Sequence, residues 1–219
     1  MDRGNKGILI LRYIAYLLAL FVVVLLLVPN IDMNVSYSQV IYDRDGNLLG
    51  AHVAEDEQWR FPPSDLDVDI ISQALLTYED KNFHRHHGLD FKAVGRALRD
   101  NVNAGSIKSG ASTITMQLAR LSCGLTKRTY RQKILEILMA IKHEFRFSKH
   151  EILNQYLAHA PYGGNVVGIE AACWRYFGKS PQLLTTAEAC MLAVLPNACL
   201  LYTSPSPRDR TRSRMPSSA

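Results

Sequence analysis

The residues best suited to chemistry form a polar cluster at 79–88. Glu79 and Asp80 stand where the apolar pattern of the preceding segment ends, and an aromatic residue, three histidines and a glycine follow. A carboxylate that aromatic neighbours partly desolvate can have a raised pKa and act as a general base. The competing interpretation is a helix C-terminus with ordinary solvated charges. Adjacent histidines on a loop do not predict a metal site, and we expect none here.

Two further polar clusters follow along the chain. Residues 105–118 carry two glycines and five hydroxyl side chains that lead into a helical pattern, with Lys108 nearby. Backbone N–H groups at a helix N-terminus can cradle an anion, although a loop with a Ser/Thr cap explains the pattern equally well. Lys133 and Glu136 are three residues apart and share a helix face, for which a surface ion pair is the plain alternative.

The elements that must position these clusters are mainly helical. Ser148 with Glu151 predicts a capping box for a helix through Leu157, and after a glycine-rich break another helix begins near Gly168. Strand signals are almost absent after residue 69. The i, i+3, i+4 spacing predicts three buried helix faces: Ile70, Ile71, Ala74, Leu75 and Tyr78; Phe91, Val94, Ala97, Leu98 and Val102; and Ile134, Leu138, Ile141 and Phe145.

Two segments precede this helical body. Residues 8–28 are an apolar run of 21 residues whose one charge is Arg12. At a rise of about 1.5 Å per residue, this run can span a bilayer core of roughly 30 Å. We predict an uncleaved anchor rather than a signal peptide, because no small-residue cleavage site follows. Residues 39–61 alternate around a turn at 44–47 and predict a β-hairpin.

The formal net charge of +5 lies at the two ends of the chain. Residues 1–12 contribute +2 and residues 199–219 contribute +3, which leaves residues 13–198 neutral. A neutral body has no broad basic face, so nucleic acid is not an expected partner. The positive charge before the apolar run predicts a cytoplasmic N-terminus, with everything after the run outside.

The composition predicts four parts. We expect a cytoplasmic stub and transmembrane anchor at 1–30, a β-hairpin linker at 31–65 and a helical domain at 66–198. Residues 199–219 are rich in Ser, Pro and Arg and have no periodicity, which is typical of a disordered tail. We expect this tail to be non-native, the translation of a cloning adaptor.

In their order along the chain, these clusters resemble the motifs of the family 51 glycosyltransferases. These are the peptidoglycan transglycosylases, which include the N-terminal halves of class A penicillin-binding proteins. The resemblance covers about residues 38–198. The matching stretches are Glu79-Asp80-x-x-Phe83-x-x-His86-x-Gly88, Gly110-x-Ser112-Thr113-Ile114-Thr115-x-Gln117-Leu118, Lys133-x-x-Glu136 and Ser148-Lys149-x-Glu151-Ile152-Leu153-x-x-Tyr156-Leu157.

The resemblance implies a fold and a reaction. The fold is a mainly α, lysozyme-like domain, here incomplete at its C-terminus, after a transmembrane helix and a short β-hairpin. The reaction is the polymerisation of lipid II into β-1,4-linked glycan strands with release of undecaprenyl pyrophosphate, in cell wall biogenesis. The catalytic residues implied are Glu79, as general base, and Glu136. The substrate-binding residues implied are Asp80, His86, Arg96, Ser112, Thr113, Gln117 and Lys133.

The resemblance also implies a setting for the enzyme. The cofactor implied is a divalent cation, Mg²⁺ or Mn²⁺. The partners implied are lipid II, the growing glycan strand, membrane lipid and other cell-wall synthesis proteins. The location implied is the bacterial inner membrane, with a single pass and a periplasmic catalytic domain. Residues 100–127 are implied to form a membrane-facing lobe, in which Ile114 and Leu118 either touch lipid or pack in the core.

Some positions depart from the family pattern. Gln132 stands where the family usually has Arg, Ala158 where it has Asn, and Met116 where it has Gln. These departures leave an alternative function open, a catalytically inactive wall-synthesis scaffold or a lipid II-binding protein.

Overall fold

The computed structural model describes residues 3–63, 69–105, 110–124 and 129–199, without the side chains of 3–7, 10 and 197–199. The described chain is mainly α-helical, as the sequence predicts. The predicted tail lies outside the described residues except for position 199. In chain order the elements are α1 (Arg3–Leu27), β1 (Gln39–Tyr42), β2 (Leu48–His52), β3 (Trp59–Arg60), α2 (Asp69–Glu79), α3 (Phe91–Ala104), α4 (Ile114–Ser122), α5 (Tyr130–Glu144), α6 (Lys149–His159), β4 (Pro161–Gly163), β5 (Val166–Val167), α7 (Ile169–Phe177) and α8 (Thr186–Cys199).

Strands β1 and β2 form the predicted hairpin. It ends at His52, whereas the sequence predicts a hairpin that extends to residue 61. The two strands pair antiparallel, with Gln39 opposite His52. The Asp43 carboxylate holds the turn because it accepts hydrogen bonds from the backbone N–H groups of Asp45 and Asn47, at 2.9 and 2.7 Å. This is the Asx type of turn, in which a side chain replaces a backbone acceptor.

The end of the predicted hairpin, β3, belongs to a different sheet. β3 pairs parallel to β5, with Trp59 opposite Val166, and β4 pairs antiparallel on the other side of β5. The chain after residue 69 is mainly helical, as predicted, but the sequence did not predict β4 and β5. The strands are only two or three residues long, too short to show a period of two. Trp59 is 4% exposed, so the end of the linker is part of the core.

The apolar run that the sequence predicts to be a membrane anchor forms most of helix α1. Its C-terminal end contacts the helical domain, where Val28 packs against Ala119 and Met139. The Lys142 ammonium donates a hydrogen bond to the Val28 carbonyl at 2.6 Å. Among the residues whose side chains the structure describes, no helix is both long enough and apolar enough to cross a membrane. The membrane anchor therefore stays a prediction.

Helix α4 lies at the centre of the helical domain, packed against α5 and α6, while α2 packs against α8. Ile114 and Leu118 are fully buried and belong to the core, so they do not touch lipid. On α2, Ile71 and Leu75 are buried as predicted. The largest fully buried side chains are Tyr156, Tyr162, Phe83, Ile71, Leu75, Ile114, Met116, Leu118, Met139, Ile152, Leu157 and Ile169.

Two of the predicted buried faces are largely exposed. On α3 only Ala97 is buried, and Phe91 is 79% exposed. On α5 the side chains of Ile134 and Phe145 are exposed, whereas Glu136 is buried. On α5 the apolar period predicts the wrong buried face, because the buried side of this helix carries the polar residues Glu136 and His143.

The loop between α2 and α3 is held close to α4 and α5. The Thr113 hydroxyl donates to the Gly88 carbonyl at 2.7 Å. Gly88 has φ +83°, and a Cβ there would lie 2.9 Å from the backbone carbon of Ala140. Glycine is therefore required both for conformation and for space. In the same loop the Phe83 ring lies 4.4 Å from the Lys149 ammonium, a cation–π contact to α6.

Gly88→Ala should lower the free energy of unfolding by about 2–4 kcal/mol, because the new side chain is strained and clashes with α5. The control is Gly95→Ala within α3, where a Cβ meets nothing within 4 Å. This control should be neutral or stabilising by up to about 1 kcal/mol. Urea unfolding followed by circular dichroism measures both. Unchanged stability of the Gly88 variant would contradict the close approach of the loop to α5.

Candidate active site

Glu79 is the last residue of α2, and its carboxylate is half-buried. Its Oε2 accepts a hydrogen bond from Nε2 of Gln117 at 2.8 Å. Its Oε1 is buried and has no partner among the described residues. Burial raises the pKa of Glu79 above its ordinary value; the Gln117 bond offsets part of this rise, and the nearby Asp80 charge adds to it. One oxygen is thus held by Gln117, while the other has no described hydrogen-bond partner and keeps its capacity to accept a proton.

The neighbouring Asp80 joins the end of α2 to the start of α4. Its carboxylate accepts from Nε2 of His86 at 3.0 Å and from the backbone N–H of Ile114 at 3.1 Å. Asp80 and His86 are both buried. A buried carboxylate with two donors holds its surroundings in place, so these two residues fix the backbone on either side of Glu79.

Gln117 connects Glu79 to α6. The hydroxyl of Tyr156 donates to Oε1 of Gln117 at 2.9 Å, and both side chains are buried. Burial raises the pKa of Tyr156 far above its ordinary value, so the phenol keeps its proton. The two ends of the Gln117 amide are therefore both engaged, one by the carboxylate and one by the phenol.

A cationic cluster surrounds Glu136. Arg120 binds this carboxylate through two nitrogens, Nε at 2.7 Å and Nη2 at 3.1 Å. The Lys133 ammonium lies 3.2 Å from the same carboxylate and donates to the Ser112 hydroxyl at 2.6 Å. The Glu136 side chain is only 3% exposed, so this is not the surface ion pair that the spacing alone allowed. Two cations around one carboxylate leave the cluster with a net positive charge.

Helix α4 brings the two parts of the site together. Gln117 and Arg120 are three residues apart on α4, so they share a face and are separated by about 4.5 Å along the helix axis. The first side chain contacts Glu79 and the second contacts Glu136. The three polar clusters of the sequence therefore meet along one helix.

Not every residue implied by the resemblance faces this site. Thr113 is buried, and its hydroxyl accepts from the Met116 backbone while it donates to Gly88. Thr113 therefore caps α4 rather than opening to a ligand. Arg96 lies on an exposed part of α3, and none of the described hydrogen bonds or ion pairs joins it to Glu79 or Glu136. Lys108 lies outside the described residues.

Sequence reasoning did not assign a role to Arg120 or Tyr156. The spacing between Gln117 and Arg120 was a usable signal, because a cation three residues from a cleft residue shares its helix face. Tyr156 had no such signal. Its aromatic ring fits a buried helix face, and only the packing of α6 against α4 reveals the partner of its hydroxyl.

The described carboxylates do not fit a metal site. Among the described residues there is no group of three or more His, Cys, Asp or Glu side chains that could hold a metal ion. The Glu136 carboxylate is engaged by Arg120 and Lys133, and that of Asp80 by His86 and a backbone N–H. A divalent cation needs such oxygens as ligands. The implied Mg²⁺ or Mn²⁺ therefore has no set of ligands here and stays a prediction.

The site combines a half-buried carboxylate with a neighbouring cationic cluster in a helical domain. A site of this class can activate a hydroxyl group next to an anionic group. Comparison with known proteins identifies the family. The Transglycosylase family model matches residues 46–217. The chain belongs to this family, the family 51 glycosyltransferases.

Curated relatives are penicillin-binding proteins. The chain is 42% identical to penicillin-binding protein 1C of Escherichia coli K12 over 166 residues, which are 75% of the chain and 21% of that protein. It is 33% identical to penicillin-binding protein 4 of Bacillus subtilis over 183 residues, 84% of the chain and 29% of the relative. It is 36% identical to penicillin-binding protein 1A of Neisseria gonorrhoeae over 182 residues, 80% of the chain and 22% of the relative.

The chain thus spans between a fifth and a third of the length of these relatives. Met116 and residues 160–164 suggest a likeness to the 1C type of penicillin-binding protein. The identity to the Escherichia coli 1C protein agrees with this interpretation.

Glu136→Gln should lower the free energy of unfolding by about 2–4 kcal/mol, because it leaves Arg120 and Lys133 facing each other without a counter-charge. The control is Asp100→Asn, which breaks an exposed ion pair with Arg99 and should cost at most about 1 kcal/mol. Urea unfolding at fixed salt measures both variants. Equal effects of the two changes would contradict a buried cationic cluster.

Proposed function

We propose that this chain is a peptidoglycan glycosyltransferase that polymerises lipid II into β-1,4-linked glycan strands and releases undecaprenyl pyrophosphate. The observation that carries the proposal is the Glu79 carboxylate, whose Oε2 is fixed by Gln117 while its buried Oε1 has no described partner. Membership of the Transglycosylase family supports the same reaction. We propose a lysozyme-like arrangement for the helical domain.

Glu79 is the general base in this proposal. Its Oε1 takes the proton from the 4-hydroxyl of the acceptor N-acetylglucosamine, and that oxygen attacks C1 of the donor muramoyl unit. The bond from C1 to the pyrophosphate oxygen breaks, and the anomeric centre is inverted. Desolvation supports this role, since burial raises the pKa of Glu79 and makes its carboxylate a stronger base than a solvated glutamate.

The cationic cluster stabilises the leaving group. The lipid pyrophosphate gains negative charge as the bond to C1 breaks, and cations held near it lower the energy of the transition state. The Lys133 side chain is 38% exposed, so its ammonium is accessible to a ligand, while Ser112 and Glu136 fix its position. Arg120 is more buried and holds Glu136 with two hydrogen bonds. Glu136 therefore orients both cations.

We also propose the setting that the sequence predicts. Residues 8–28 anchor the chain in the bacterial inner membrane, with the N-terminus in the cytoplasm and the domain at 66–198 outside. The support is the length and apolarity of this run and the positive charges that precede it. Lipid II, the growing glycan strand, membrane lipid and other cell-wall synthesis proteins are the proposed partners.

Glu79→Gln should reduce polymerisation of labelled lipid II by about 10²–10⁴-fold, because an amide cannot accept the acceptor's proton. The matched control is Glu55→Gln, at an exposed position in the loop after β2, which should leave the rate unchanged. For the unaltered chain, activity should rise with pH through a midpoint above the ordinary glutamate pKa of 4.5, since only the ionised carboxylate is a base.

Gel analysis of the glycan products measures these rates. Full activity of the Glu79 variant would show that Glu79 is not the general base. If a folded parent chain bound lipid II without polymerising it, the wall-synthesis scaffold would be the better interpretation.

Lys133→Gln should lower kcat by about 10²–10³-fold, because the charge that faces the departing pyrophosphate is lost. Lys179→Gln is the control, since this lysine pairs with Glu188 in another part of the domain and should leave kcat unchanged. Steady-state rates on labelled lipid II separate kcat from KM. A Lys133 variant that changes KM alone would mean that this lysine binds substrate without stabilising the transition state.

A further inference from the structure

Glu79, Gln117 and Tyr156 form a chain of hydrogen bonds across three helices. The Tyr156 hydroxyl on α6 donates to Oε1 of Gln117 on α4 at 2.9 Å. The same amide donates from Nε2 to Oε2 of Glu79, at the end of α2, at 2.8 Å. Tyr156 is 1% exposed and Gln117 is 6% exposed, so water does not easily replace these contacts.

The direction of each bond follows from the groups at its ends. An ionised carboxylate only accepts hydrogen bonds, so the amide must present its NH₂ group to Glu79. The amide oxygen then points to Tyr156, and because this oxygen only accepts, the phenol must donate. The phenol is available as a donor since burial raises the pKa of Tyr156.

We propose that Tyr156 is a positioning residue that holds the Gln117 amide with its NH₂ group toward Glu79 and so keeps the Glu79 carboxylate in its ionised, basic form. The inference rests on the proposed role of Glu79 as general base. It assigns to a buried tyrosine on α6 a function in the proton transfer, although Tyr156 itself does not touch the reacting atoms.

Loss of the hydroxyl would release one end of the amide. A rotated amide would present its oxygen to Oε2 of Glu79, and this oxygen favours a protonated carboxyl that can donate to it. Asp80, the adjacent charged residue, also disfavours the ionised form. Among the described residues, Gln117 is the hydrogen-bond donor to Glu79 that opposes these effects. The orientation of this amide therefore governs the protonation of the base.

The test compares Tyr156→Phe with Tyr162→Phe in the full chain. Tyr162 is a matched control because it is also fully buried, while its hydroxyl has no partner among the described residues. The first measurement is the titration of the Glu79 carboxyl carbon by NMR, which does not depend on activity. The second is the pH profile of glycan polymerisation from labelled lipid II.

We expect the Glu79 titration and the acid limb of the pH profile to move up by about one pH unit in Tyr156→Phe. Activity should return to the parent's plateau at high pH, where the carboxylate is ionised again. Tyr162→Phe should match the parent in both measurements. A variant at Tyr156 that loses activity equally at all pH values, with an unmoved Glu79 titration, would show a merely structural role and overturn the inference.

A double-mutant cycle gives an independent test. Gln117→Met removes the amide, so Tyr156→Phe should add no further shift to the Glu79 titration in that background. Additive shifts would overturn the inference.

If Tyr156→Phe does not fold, 3-fluorotyrosine at position 156 serves instead. It keeps the hydroxyl and makes it a stronger donor, so it should move the titration to lower pH. An unmoved titration would count against the inference.

The two proposals fail in different ways. If the parent chain does not polymerise lipid II, or if Glu79→Gln remains active, the proposed function fails while the NMR titration still tests the hydrogen-bond chain. If Glu79→Gln is inactive but the titration of Glu79 is the same in Tyr156→Phe and the parent, the proposed function stands and the role of Tyr156 does not.

Discussion

Helix α4 is buried along residues 114–119, and a buried helix must find partners inside the protein for its polar side chains. Thr115 donates to Glu144 at 2.6 Å, and Gln117 contacts Glu79 at 2.8 Å. Arg120, one turn further on, binds Glu136. Glu79 lies at the end of α2, whereas Glu136 and Glu144 lie in the middle and at the end of α5. The hydrogen bonds that α4 requires therefore fix the geometry of the whole site.

The two glutamates of the site have opposite surroundings. Glu136 is surrounded by the positive charges of Arg120 and Lys133. Glu79 has an amide as its hydrogen-bond donor and a second carboxylate, Asp80, as its charged neighbour. Environments of this kind separate the roles of two carboxylates, one as a base and one as a fixed counter-charge. The division follows from burial and neighbours, since the two side chains are chemically identical.

The end of helix α1 packs directly behind the cationic cluster. Val28 contacts Ala119, which precedes Arg120, and Met139, which lies one turn after Glu136. Lys142 extends the contact with its hydrogen bond to the Val28 carbonyl. The segment that the sequence predicts to be a membrane anchor therefore supports the two helices that hold the cations, and it restricts how the proposed active site can be oriented relative to the end of α1.

The sequence by itself determined the helical class, the hairpin, the capping box at Ser148 and the order of the polar clusters, because these depend on local spacing. The buried face of α5, the short sheet around β5 and the partners of Arg120 and Tyr156 were decided only by the tertiary structure. Polar residues such as Glu136 look solvent-facing in a periodic pattern, and they become buried only when a distant helix supplies the opposite charge or hydrogen bond.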